Sequence, residues 1–142
     1  MQTFLPYKNF NKTARCLDYR RLGKQRVEAW QIYQAINGQS GWRNHPIVKM
    51  WSKYKNALLI YGMTMCIEWS NRGYEDNMYS RFHHELMRNL EICKERVEFP
   101  KWMYKNKFIR SHRSNLLRKN KEYYSKFKWV VPDNLPYYWE RS

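Results

Sequence analysis

Apolar residues recur at helical spacing along most of this chain, and strand-like alternation is nearly absent. Leu22, Ala29, Tyr33 and Ile36 mark one side of a first helix, about Lys12 to Ile36, which Asn37-Gly38 stops. A loop from Gln39 to His45 follows, and Pro46 suits the first turn of a second helix. Its stripe is Ile47, Met50, Trp51, Tyr54, Leu58, Tyr61, Met65 and Trp69, an amphipathic core face that ends at Arg72-Gly73. A third helix is expected from about Asn77 to Val97, with Phe82, Leu86, Leu90, Cys93 and Val97 inward and Pro100 behind it. A fourth, shorter helix lies within Ser111 to Phe127. The tail VVPDNLPYYWERS is aromatic and broken by Pro132 and Pro136, so it should lie across the other elements rather than form a helix. These patterns predict an all-α fold: one compact bundle of three to four main helices with an irregular aromatic C-terminal tail, residues 1–142 forming one domain. Gly23 sits inside the first helix at a cost of about 1 kcal/mol relative to Ala. It marks either a close approach of another backbone or a kink.

Charge changes the picture from scaffold to function. The formal net charge is +15, and the chain holds 7 Trp, 12 Tyr and 6 Phe. A basic, ring-rich chain points to a polyanion whose bases can stack. Residues 1–45 carry 8 Lys/Arg against 2 acids, residues 46–100 carry 8 against 7, and residues 101–142 carry 11 against 3. The two basic ends are therefore expected to meet on one positive surface of a nearly neutral middle.

Cys16, Cys66 and Cys93 are odd in number and widely spaced, which suits reduced thiols and suggests neither a disulfide framework nor a zinc knuckle. His83-His84 has no further His or Cys at ligand spacing, and adjacent helical residues diverge by about 100°. No metal or cofactor is expected. The start, MQTFLPYKNF, has no apolar signal core, and no apolar run is long enough to span a membrane. An intracellular location is the expectation.

The densest candidate chemistry is Arg20 to Glu28, RRLGKQRVE. On a helix, Arg21, Gln25 and Glu28 share one face, and Lys24 lies one turn before Glu28. Arg20, Arg21, Lys24 and Arg26 thus surround a single carboxylate, an arrangement that can hold phosphates and move a proton. A plain solvated face with an ordinary Lys-Glu pair is the competing reading. The second basic constellation is SHRSNLLRK: Ser111 or Ser114 is a candidate cap for a helix whose N-terminal amides bind phosphate, with His112, Arg113, Arg118 and Lys119 adding charge. In the loop before the second helix, Arg43 and His45 are candidate phosphate contacts, and Trp42 is either a wedge into a duplex or a core residue.

The segment RLGKQRVEA resembles the active-site helix of the pyrimidine-dimer DNA glycosylases, small repair enzymes of phages and algal viruses. In that helix a Leu is followed after two residues by Glu, an aromatic, Arg and the catalytic Glu; here Leu22, Gln25, Arg26, Val27 and Glu28 stand at those places. The resemblance continues in order through Asn37-Gly38, NHPIVKMW, EWSNRGY and FIRSH. It implies a glycosylase acting on double-stranded DNA with a damaged or modified base, a pyrimidine dimer by analogy. It also implies that the N-terminal α-amine attacks the sugar as the glycosidic bond breaks, giving an imine that eliminates a phosphate in an apurinic/apyrimidinic lyase step. An α-amine ordinarily titrates near 7.7–8.0, so a usable fraction is neutral at about pH 7.

By this resemblance Glu28 manages protons, and Met1 or Gln2 supplies the amine. Arg20, Arg21, Lys24, Arg26, Arg43, His45, His112, Arg113, Arg118 and Lys119 form the DNA-binding set. The family's nucleophile is a Thr exposed by removal of Met; the Met-Gln start here moves it, because Gln is too bulky for efficient Met removal. Two other readings stand beside the enzyme: a non-catalytic basic protein that binds or packages nucleic acid, and an RNA-binding module.

Overall fold

The computed structural model of the chain describes residues 1–39, 41 and 43–140, and every regular element among them is helical. Trp42 and the last two residues of the tail lie outside the described residues. The elements are α1 (Phe10–Cys16), α2 (Tyr19–Ile36), α3 (Pro46–Trp51), α4 (Lys55–Asn71), α5 (Tyr79–Met87), α6 (Asn106–Lys119) and α7 (Lys121–Tyr124). A π turn, Arg88–Ile92, extends α5, and 3-10 turns occupy Lys101–Tyr104 and Ser125–Phe127. The all-helical expectation holds, with more and shorter helices than the three to four anticipated.

The first predicted helix is two. Leu17 and Asp18 are extended, which separates α1 from α2. Asp18 is buried and its bonds face α7 and α2: its N–H donates to the Tyr124 hydroxyl at 3.0 Å, and its carboxylate accepts from that hydroxyl and from Arg21 at 3.2 Å. An acid at this N-terminus also suits the dipole of α2.

The second predicted helix breaks at Ser52-Lys53-Tyr54 into α3 and α4. The break lets Trp51 donate its indole N–H to the Thr3 hydroxyl at 3.0 Å and pack edge-on against Trp102. The expected stripe is inward, yet α4 is not simply amphipathic. Ala57, Leu58, Leu59, Tyr61, Gly62, Thr64, Met65 and Cys66 are all buried, and α1, α2 and α5 pack around it. A helix apolar on nearly every side is a central one.

α4 packs closely on its neighbours. A Cβ on Gly62 would lie 2.3 Å from the Phe82 ring, and one on Gly23 would meet the Trp69 ring at 3.0 Å. Gly23 therefore admits a side chain, not the backbone or kink anticipated. Arg72 ends α4 and ties it to α1, donating to the Ala14 and Arg15 carbonyls at 3.1 and 3.2 Å.

The third predicted helix stops early. The π turn adds a residue to its last turn and rotates the register. Asn89 is buried in consequence, donating to the Tyr33 hydroxyl and to Asn56 Oδ1, while Cys93 is exposed rather than inward. Val97 lies beyond the helix in irregular chain. α6 begins at Asn106, so Ser111 and Ser114 are interior and buried instead of capping. Their hydroxyls accept the Tyr138 and Leu135 N–H groups at 3.1 and 2.9 Å, which lays the tail along α6. Asn115 and Arg118 donate to tail carbonyls as well.

Candidate active site

The first residues of the chain form an extended segment that enters the core. Thr3 and Leu5 are completely buried, and Phe4 is nearly so. Buried extended backbone away from any sheet must find side-chain partners, and the helices provide them. Gln25 on α2 accepts the Phe4 N–H at 2.9 Å and donates to the Gln2 carbonyl at 3.0 Å. Tyr61 on α4 lies 2.7 Å from the Phe4 carbonyl and 2.6 Å from Gln25 Oε1, its single proton shared between the two acceptors. His112 on α6 accepts the Leu5 N–H through Nδ1 at 3.0 Å, and Arg113 donates to the Pro6 carbonyl at 2.8 Å.

This clamp brings the head of the chain to Glu28. The Gln2 N–H donates to Glu28 Oε2 at 3.2 Å, and Gln25 Nε2 donates to the same oxygen at 3.2 Å. Both bonds fall on Oε2, and among the described residues no hydrogen bond engages Oε1. Met1, Gln2, Phe4, Arg20, Arg21, Lys24, Gln25, Glu28, Lys119, Asn120 and Tyr137 line a cleft of about 710 Å³. That volume suits one extruded nucleotide in a range typical of ligand sites. Of the basic C-terminal part, Lys119 of α6 lines this cleft together with Arg20, Arg21 and Lys24 of α2.

The electrostatics are uneven across the cleft. Burial pushes the Tyr137 phenol up to about 12, with Arg118 opposing the shift and the Glu28 charge adding to it. His45 titrates below its ordinary value, through burial first and then the positive N-terminal amine, against the pull of Glu28. His45 thus belongs to the same electrostatic neighbourhood as the amine and Glu28. Its Nδ1 also caps α3 by accepting the Ile47 N–H at 3.1 Å, and its ring lies edge-on to Trp139.

The structure divides the expected DNA-binding set. Arg20, Arg21, Lys24 and Lys119 line the cleft, Arg43 is exposed in the loop before α3, and His45 feels the charge of the N-terminal amine without lining the cleft. Arg26 is placed elsewhere: it is 8% exposed, pairs with Asp76 at 2.7 Å and lies over the Trp69 ring. Committed to an internal ion pair, it has no face for a phosphate. His112 is completely buried among Phe4, Phe108 and Tyr137, and burial lowers its pKa to about 3. It is a neutral clamp on the N-terminal segment, not a surface cation. Arg113 sits over Tyr7 and Trp129 while bonded to Pro6, and Arg118 is spent on the tail. Of the second basic constellation only Lys119 reaches the cleft.

Sequence reasoning did not single out Gln25, Tyr61, Asn120 or Tyr137 as site residues. Gln25 had a signal, since it lies one turn before Glu28 on the same face. Tyr137 had none, because its place depends on how the tail folds back. Among the described residues, no group of three or more His, Cys, Asp or Glu can hold a metal, and no helix is long and apolar enough to cross a membrane.

A family model described as pyrimidine dimer DNA glycosylase matches residues 1–82. The matched span holds the buried N-terminal segment, Gln25 and Glu28; FIRSH, Lys119 and the tail lie beyond it. No curated protein and no solved structure matches the chain.

Proposed function

Because the chain belongs to the pyrimidine dimer DNA glycosylase family, we propose that it excises a damaged or modified base from double-stranded DNA, a pyrimidine dimer by family, through an imine between its N-terminal amine and the sugar. The observation that carries this reading is the 3.2 Å contact between Gln2 N and Glu28 Oε2 at the floor of a cationic cleft. That contact supports an amine at residue 1 or 2 working beside Glu28, the one carboxylate among the described residues that line the cleft. The amine is that of Met1 where Met1 is retained and that of Gln2 where it is not.

In this scheme the target nucleotide is extruded from the stack into the cleft, where Arg20, Arg21, Lys24 and Lys119 hold the flanking phosphates. Phe4 and Tyr137 supply an aromatic wall for the base. The neutral amine forms a bond to C1′ as the bond to the base breaks, and the base leaves with the electron pair. Glu28 Oε1 stabilises the positive charge that grows on the sugar and takes the proton the amine loses. Opening of the sugar ring gives the imine. Removal of a C2′ proton then expels the 3′ phosphate, the lyase step. Gln25 positions Glu28 by holding Oε2.

Borohydride trapping tests the scheme. With an abasic-site duplex, the protein should form a covalent adduct that is lost when the N-terminal amine is acetylated and strongly reduced in Glu28→Gln. Absence of an adduct, with salt-sensitive DNA binding that survives Glu28→Gln, would replace the enzyme with a basic nucleic-acid-binding protein.

A further inference from the structure

The residue behind the N-terminal Met is a glutamine, the one amide side chain whose carbonyl can close a five-membered lactam with its own α-amine. Gln2 is 6% exposed, and its three polar groups are arranged unequally. Its backbone nitrogen is 3.2 Å from Glu28 Oε2. Its side-chain carbonyl Oε1 accepts the Thr3 N–H at 3.0 Å. Its amide nitrogen Nε2 is buried with no partner among the described residues. A buried amide donor left unpaired is destabilising, and such groups in a cleft call for an explanation.

These positions correspond to the parts of a cyclisation site. A carboxylate stands at the nitrogen that would attack, an N–H polarises the carbonyl that would be attacked, and the group that would leave is held by nothing. While Met1 is present the Gln2 nitrogen is a peptide nitrogen and cannot attack. Once residue 2 is the first residue, the same nitrogen is an amine.

We propose that Gln2 is a modification site: when an aminopeptidase exposes it, the folded cleft closes it to pyroglutamate, and this removes the amine of the imine mechanism. In the step, the Gln2 nitrogen forms a bond to its own Cδ and the bond from Cδ to Nε2 breaks. Glu28 takes a proton from the attacking nitrogen, a proton passes to Nε2, and ammonia leaves. No oxidant or other co-reactant is needed. The product nitrogen is a lactam amide, so it cannot form an imine with a sugar. A chain that begins at Gln2 therefore holds a usable amine only until it cyclises, whereas a chain that keeps Met1 does not lose its amine in this way. The loss of activity rests on the imine reading of the site; the cyclisation does not.

The test uses the full chain in two forms, one beginning at Met1 and one released from an N-terminal fusion by a protease that leaves Gln2 first. Intact mass is followed with time, and borohydride trapping on an abasic-site duplex is run on the same samples. The Gln2-first chain should lose the mass of one ammonia, and its trapped adduct should fall in step. Glu28→Gln should slow the ammonia loss by about tenfold or more, as removal of a general base does. The Met1-first chain should keep its mass and its adduct. A Gln2-first chain that keeps its mass, or that loses ammonia equally fast in Glu28→Gln, would overturn the proposal. Failure of the Met1-first chain to trap while the Gln2-first chain still loses ammonia would instead overturn the imine reading and leave the modification site standing.

Discussion

Acidification should destabilise the fold chiefly through His112. The ring is completely buried, and its Nδ1 accepts the Leu5 N–H at 3.0 Å, so the neutral form carries its proton on Nε2, which has no partner among the described residues. Burial lowers its pKa from 6.5 to about 3. Between those values the unfolded chain binds a proton that the folded chain refuses. Stability is therefore fully present above about pH 6.5 and is lost as the pH falls toward 3, at up to about 1.4 kcal/mol per pH unit. From about pH 7.5 to about pH 5 the loss comes to about 2 kcal/mol.

That window lies above the range where Asp76, held below its ordinary value, takes up its proton. His45 shifts in the same direction as His112 and adds to the loss. Urea unfolding followed by circular dichroism across this window measures the slope. In His112→Asn, which keeps an acceptor near the Leu5 N–H but cannot titrate, most of the slope should disappear, even though the variant is less stable at neutral pH. Equal stability of the parent protein at both ends of the window would refute the reasoning, as would an unchanged slope in His112→Asn.

Three further outcomes follow from the placement of particular side chains. Arg26→Gln leaves Asp76 buried without its cation and should cost about 3 kcal/mol in urea unfolding, while the salt dependence of DNA binding stays as it was; a changed salt slope with unchanged stability would return Arg26 to the DNA surface. Lys24→Ala and Lys119→Ala should each weaken DNA binding and lower the slope of log K against log salt by about 1, because each removes one phosphate contact. The Cys16 and Cys66 thiols are buried and pushed up to about 12, first by desolvation, whereas Cys93 is exposed. Ellman's reagent should therefore titrate Cys93 rapidly in the folded protein, and Cys16 and Cys66 only after denaturation.

The helical character of the chain was legible because it rests on periodicity. Leu22, Tyr33, Leu58, Phe82 and Leu86 point where their spacing says they should. The breaks were not legible. Asp18 interrupts the first helix because Tyr124, far away in sequence, takes both its N–H and its carboxylate. The turn after Trp51 goes with an indole bond to Thr3, and the burial of Asn89 with a π turn. Tertiary partners of this kind leave no local pattern.

The candidate site divides along the same line. Glu28, Arg21 and Lys24 share a helix face that spacing alone can define, and they do line one cleft. Arg26 belongs to the same run of charges, but one helical step turns it toward Asp76, a partner on the chain after α4. His112 reads as a surface cation in SHRSNLLRK because a sequence cannot reveal that the N-terminal segment threads past α6. That threading also makes the cleft composite. Glu28 and the chain's head come from the part that matches the family, while Lys119, Asn120 and Tyr137 are contributed by residues beyond it.

The central claim is that the amine at the head of the chain, not a lysine, does the chemistry beside Glu28. Lys24 and Lys119 line the same cleft and are the competing amines. Peptide mapping of the borohydride-trapped adduct separates them most directly. After tryptic digestion the sugar remnant should lie on the peptide from Met1 to Lys8, on its α-nitrogen. A remnant on Lys24 or Lys119, with the N-terminal peptide unmodified, would contradict the account.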